Sequence, residues 1–102
     1  MLSVIAKLTV QEGKEDEFKA AAAEMVAAVK TNEAGRTLAY TLGQSQKTAT
    51  EFYFLFLEQY ADEEALAEHM KTPHMAAFGG KLAGLLAGRG EITRLDTVAS
   101  IA

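Results

Sequence analysis

The stretch Glu51-Phe52-Tyr53-Phe54-Leu55-Phe56-Leu57-Glu58-Gln59 decides the fold. Phe52, Phe54 and Phe56 point one way in an extended chain, and Tyr53, Leu55 and Leu57 point the other. A strand that is apolar on both sides has to be covered on both sides. Most half-buried strands of antiparallel sheets alternate apolar with polar residues. This one sits in the middle of something.

Working outward, the chain before this strand carries a second extended segment. Leu38, Tyr40 and Leu42 share a side within Thr37 to Gln44, and Gln46-Lys47-Thr48-Ala49-Thr50 is a polar hairpin connection between the two. At the amino terminus, Leu2, Val4, Ala6, Leu8 and Val10 alternate with Ser3, Ile5, Lys7 and Thr9, which reads as another strand. Glu12-Gly13 ends it. From Lys14 the period lengthens: Phe18, Ala22, Met25, Val26 and Val29 form one helical face among helix-favouring alanines, and Gly35 is placed to close the helix in a left-handed conformation.

Past the central strand, Asp62 is a helix N-cap with Glu63 and Glu64 in the first turn, where the helix dipole favours acidic groups. Ala65, Leu66, His69 and Met70 continue that helix. Thr72-Pro73 restarts it, threonine as cap and proline at the first helical position. Met75, Phe78, Leu82, Leu85 and Leu86 give this second segment its apolar face, with Gly88 and Gly90 ending it. Ile92 to Val98 is the last strand. The order is βαββαβ, an α+β, ferredoxin-like arrangement with one antiparallel sheet, spanning residues 1–102 as a single domain. In that topology the first and third strands lie in the centre, and they are the most apolar here. The helices cover one face of such a sheet only. A second copy of the chain is the simplest cover for the other, closing a dimeric α/β barrel, and at ~25 cal/mol per Å2 that burial amounts to several kcal/mol per chain.

The composition narrows the function. A net charge of −4 over 102 residues gives no basic stripe for nucleic acid or an anionic membrane. No apolar run approaches the roughly 20 residues of a membrane span. There is no cysteine, which removes disulfides, thiolate metal sites and a cysteine nucleophile together. Without a basic segment and long apolar run at its start, the chain is expected to be cytoplasmic and complete. No glycine loop cradles a phosphate, and no serine sits in a strand-to-helix elbow.

The chemistry-bearing residues that remain cluster in Glu68-His69-Met70-Lys71-Thr72-Pro73-His74-Met75. His69 lies one helical turn after Ala65 at the border of the apolar face, and its plainer reading is a half-exposed helix residue. His74, at the start of the second helical segment, either caps backbone groups or stands as a neutral imidazole that hydrogen-bonds a phenolic hydroxyl in a cavity. Glu68 and His69 are neighbours about 100° apart around the helix, so they do not converge on a metal ion, and no metal is expected. Tyr40 shares its strand face with Leu38 and Leu42 and can present its hydroxyl to a pocket. Gly79 and Gly80 each cost roughly 1 kcal/mol in a helix. They leave room either for a ligand beside Phe78 and Leu82 or for close helix-to-sheet packing.

Three segments, Val4-Ile5-Ala6-Lys7-Leu8-Thr9-Val10, Leu57-Glu58-Gln59-Tyr60-Ala61-Asp62-Glu63-Glu64-Ala65-Leu66 and His69-Met70-Lys71-Thr72-Pro73-His74-Met75-Ala76-Ala77-Phe78, resemble the antibiotic biosynthesis monooxygenase (ABM) family, and within it the small bacterial quinol monooxygenases. The resemblance spans essentially the whole chain, and its last block is the most specific. It implies a dimeric ferredoxin-like barrel with a pocket between sheet and helices in each subunit. It also implies oxidation of a quinol or related phenolic aromatic by O2 without a cofactor. By the same resemblance His74 is the proton acceptor or orienting group. Tyr40 and His69 are polar pocket members, and Phe54, Phe56, Met75 and Phe78 are apolar walls. Heme-degrading relatives carry an asparagine, a tryptophan and a histidine ligand where this chain has Ala6, His69 and Gly79, which disfavours heme. A relative that isomerises a phosphorylated quorum-sensing sugar shares much of the Tyr60 to His74 pattern, and a phosphate would need some of Lys7, Arg36, Lys71, Lys81 and Arg94 gathered at the pocket. A non-catalytic dimeric module binding an aromatic metabolite is the third reading.

Overall fold

The computed structural model describes residues 1–46, 48 and 50–101; Lys47 and Ala49, in the expected hairpin connection, and Ala102 lie outside the described residues. The elements are β1 (Leu2–Leu8), α1 (Glu15–Asn32), β2 (Thr37–Gln44), β3 (Phe54–Tyr60), α2 (Glu63–Met70), α3 (Pro73–Leu82) and β4 (Glu91–Asp96). The strands form one antiparallel sheet in the order β2-β3-β1-β4, the ferredoxin-like order, with the two most apolar strands in its centre.

Register sets which residues face the helices. Leu2, Val4, Ala6 and Leu8 of β1 pair opposite Tyr60, Glu58, Phe56 and Phe54 of β3, and all eight are buried. Phe18, Ala21, Ala22, Met25 and Val29 of α1 close over them, with Phe18 against Phe54 at a centroid separation of 4.7 Å. The other sheet face carries Ile5, Leu55, Leu57 and Leu95 with no helix over it, and Leu57 is 49% exposed.

The helix starts follow the sequence. Asp62 accepts a hydrogen bond from the Ala65 amide at 2.8 Å, and Thr72 Oγ1 accepts one from the Met75 amide at 3.2 Å ahead of Pro73. Gly35 adopts φ +81°, a conformation that side chains disfavour, and turns the chain from α1 into β2.

Three expected boundaries differ. The α3 helix stops at Leu82, so Leu85 and Leu86 leave it: the chain there pairs with the end of the first strand, through Gln11 N–H to Leu85 C=O (2.9 Å), Ala87 N–H to Thr9 C=O (2.8 Å) and a Val10–Leu86 bridge. Gly84, a weak helix former, lies at this departure. The strand expected from Glu51 begins at Phe54, because its partners Leu8 and Gln44 are the last residues of their own strands. The last strand ends at Asp96 rather than Val98, since β1 has run out of partners beyond Met1. Gly79 and Gly80 face open space, so close packing does not explain them, and neither is among the residues lining the cavity described below. Among the described residues no helix is long and apolar enough to cross a membrane.

Candidate active site

Between the sheet and the second helical pair lies a cavity of about 410 Å3, within the usual size range for small-molecule sites. Its floor is the helix-facing side of the sheet: Val4, Ala6 and Leu8, with Phe56 beside them. Its roof is Leu66 and Met70 from α2 and Met75, Phe78 and Leu82 from α3. The β4 side is open. Ile92 and Arg94 face the cavity there, yet no helix reaches over them and Ile92 is 62% exposed.

One end of this apolar space is polar. Tyr40, Glu58 and His69 line it together. Tyr40 and Glu58 are brought together by the β2–β3 register, which places them directly opposite each other on the same face. The His69 ring lies between two tyrosines, at 5.4 Å from Tyr40 and 5.2 Å from Tyr60. Tyr60 donates its hydroxyl hydrogen to Glu58 Oε1 at 2.5 Å.

His69 is held from behind by a residue that does not line the cavity. Glu33, the C-cap of α1, is 2% exposed. His69 Nδ1 donates to its Oε1 at 2.9 Å, Thr37 Oγ1 donates to the same oxygen at 2.6 Å, and His74 Nε2 meets its Oε2 at 2.5 Å. With Nδ1–H committed to Glu33, the neutral His69 ring has Nε2 as its proton-accepting atom, the arrangement by which a carboxylate fixes the tautomer of a catalytic imidazole.

The electrostatics separate the two carboxylates. Burial alone would raise the Glu33 carboxyl, but the hydrogen bonds from His74, Thr37 and His69 outweigh it and hold the group below the ordinary range. Glu58 goes the other way: burial pushes it up, and the hydrogen bond from Tyr60 does not compensate. Burial, with the negative charges of Glu58 and Glu33 nearby, pushes both the Tyr40 and Tyr60 hydroxyls well above the usual phenol range. Both tyrosines therefore stay protonated and can donate hydrogen bonds.

The residues named from sequence divide accordingly. His69, Tyr40, Phe56, Met75 and Phe78 line the cavity. His74 does not: its ring meets Glu33 from the other side, where it lines a separate small depression between α1 and α3. Phe54 does not either, being 1% exposed in the core against Phe18 and Phe52. His69, read as a half-exposed helix residue, is 2% exposed. Glu33 and Glu58 were missed. Glu58 had a visible signal, a charge on the inward side of a central strand in line with Phe54, Phe56 and Tyr60. Glu33 had none, since a glutamate before a helix-ending glycine is ordinary.

Among the described residues no group of three ligand-type side chains is arranged to hold a metal ion. Of the five basic residues considered for a phosphate, Arg94 alone lines the cavity, and its Nη2 is 2.6 Å from Glu63. Lys7 pairs with Glu51, Lys81 with Glu24, and Arg36 donates to the Asn32 carbonyl.

The antibiotic biosynthesis monooxygenase family pattern matches residues 1–81. A solved structure from Caulobacter crescentus whose name places it in that family is 37% identical, with a TM-score of 0.86 over 96% of this chain and 90% of that one. A protein from Pseudomonas aeruginosa is 28% identical, with a TM-score of 0.82 over 96% and 94% of the two chains. A Nitrosomonas europaea protein also named for the family shares the fold, with a TM-score of 0.84 over 97% of this chain and all of that one, at 19% identity. No curated protein matches the chain.

Proposed function

Since the chain belongs to the antibiotic biosynthesis monooxygenase family, we propose that it is a cofactor-independent monooxygenase, acting as a homodimer on a quinol or related phenol with O2. The observation that carries this reading is the buried polar end of a largely apolar cavity, where His69, braced by Glu33, stands beside Tyr40 and Glu58, away from the exposed Arg94–Glu63 pair at the β4 side. An aromatic ring suits the walls formed by Phe56, Met75 and Phe78, and its hydroxyl would find the buried polar groups at the Tyr40–His69 end.

In this reading His69 Nε2 accepts the phenolic proton while Glu33 stabilises the imidazolium that forms. The resulting phenolate is electron-rich enough to pass one electron to O2. The phenoxyl radical and superoxide then combine at a ring C–H carbon ortho or para to the oxygen, giving a peroxide. His69 returns its proton to that peroxide, and loss of water across the C–H and O–O bonds leaves the quinone. One O2 is consumed, one oxygen atom enters the product and the other leaves as water. Tyr40, kept protonated, donates a hydrogen bond to the anionic oxygen. A phosphorylated substrate finds less support, because the one arginine at the cavity is already paired with Glu63.

Oxygen consumption by metal-stripped protein, with a panel of reduced quinones and phenols under 18O2, tests the proposal. One labelled atom per product molecule is expected, and His69→Gln should slow turnover about a hundredfold. No uptake above buffer across the panel would remove the oxidation. Thermal stabilisation by quinones without uptake would make the chain an aromatic-binding module instead.

A further inference from the structure

The oxidation above employs one imidazole and leaves a second without a task. His74 Nε2 and His69 Nδ1 end on the two oxygens of the same carboxylate, at 2.5 and 2.9 Å. The two rings face different surroundings. His69 is sealed at 2% exposure and borders the cavity, whereas the His74 side chain is 16% exposed and borders the depression between α1 and α3. Glu33 stands between them, itself out of contact with water.

One carboxylate neutralises one imidazolium. A second imidazolium on the same carboxylate would put a net positive charge into a buried cluster, so the two rings oppose each other's protonation. The remaining groups around the cluster leave this arithmetic standing. On the His69 side are Thr37 and Tyr40 of β2 and Glu58 and Tyr60 of β3, the tyrosines neutral and Glu58 already engaged by Tyr60. On the His74 side Glu24 of α1 and Lys81 of α3 pair with each other at 2.9 Å.

We propose that His74 is the solvent-side half of a proton exchange centred on Glu33: as His69 Nε2 takes a proton from a substrate hydroxyl in the cavity, His74 releases its Nδ1 proton to water. When His69 hands its proton back, His74 takes one up. One proton enters the cluster and one leaves, and its charge stays constant. His69 Nδ1–H and His74 Nε2–H remain on Glu33 in both states, so no hydrogen bond breaks. No proton has to cross the carboxylate. Charging and discharging the base thus needs no water molecule on its cavity side. His74 acts through Glu33 and is a positioning residue, not a catalytic one. The exchange rests on the assignment of His69 as the base for a hydroxylic substrate.

The test is 15N-histidine NMR of the whole chain, following each ring through its titration. His74→Gln, whose amide can still donate to Glu33, is expected to raise the protonation midpoint of His69 by about one pH unit. His69→Gln should raise that of His74 by the same amount, because coupling between two sites is reciprocal. A histidine that merely props the helix would move neither. Unchanged midpoints in both variants overturn the exchange, and using two variants guards against the misfolding of one. The measurement is made on resting protein. Coupled midpoints without oxygen uptake therefore support the exchange while removing the oxidation, and independent midpoints with full uptake do the opposite.

Discussion

Glu33 and Glu58 are buried in the same site and pushed in opposite directions. Glu33 is held below the ordinary carboxyl range by donors from three elements. Its contribution to stability is therefore present above that range and is lost as pH falls through its lowered folded-state value. Glu58, raised chiefly by burial, is favoured in the fold while protonated, and that contribution is lost as pH rises through its raised folded-state value. Urea unfolding across pH separates the two. Glu33→Gln should cost about 1–3 kcal/mol at neutral pH, because it sets an amide hydrogen against a donor, and the cost should shrink in acid. Glu58→Gln should become progressively more stable relative to the parent as pH rises from acid to neutral. Parallel pH profiles for both variants would refute the assignment. Neither residue's role could be read one position at a time. Glu58 announced itself only as a break in an apolar face, and Glu33 acquires meaning from His69, 36 residues away in the chain. The two histidines were placed on the correct segments, but of the two only His69 lines the cavity, since sequence gives their positions in the helices and not the sides on which α1 and the sheet approach.

At the scale of elements, the features legible in sequence were those with local causes. The Asp62 cap, the Thr72-Pro73 restart and the Gly35 turn are each decided within four residues. The end of α3 was not legible, because a long-range pairing with Thr9, Val10 and Gln11 overrides the apolar periodicity through Leu86. Thr72 is where local and functional demands meet. Its Oγ1 accepts from Met75 N–H at the start of α3 and donates to the His69 carbonyl at the end of α2, at 2.8 Å. It thus fixes the angle between the helices that carry the two histidines. Thr72→Ala is expected to cost about 1 kcal/mol in urea unfolding, as a lost cap does. Asp62→Ala, a cap of the same strength that touches neither histidine segment's junction, should cost about as much. Only Thr72→Ala should shift the ring resonances of both His69 and His74. Equal effects of the two substitutions on those resonances would show that the junction does not set the site.

For the whole molecule, the decisive property is still the sheet with two apolar sides. The helices take up one side. On the other, Ile5, Leu55 and Leu57 run across the two central strands, with Leu95 beside them on β4. Among the described residues no charged side chain interrupts the middle of that surface; Lys7 lies toward one end, where Glu51 neutralises it and Tyr53 stacks under its ammonium. A surface apolar at its centre and polar at its margin is what a self-complementary contact about a two-fold axis requires, since each residue there meets its own kind or a near neighbour. Leu57 is the sharpest probe because it is exposed in the isolated chain and far from the cavity, on the opposite side of the sheet. Leu57→Arg would bring two guanidinium groups toward each other across such an axis while leaving the fold of each subunit alone. Sedimentation equilibrium at micromolar concentration is expected to give a dimer for the parent and a monomer for the variant, with the histidine titrations unchanged. A monomeric parent would refute the barrel. A dimeric variant would move the contact to another face, leaving this one to a different partner.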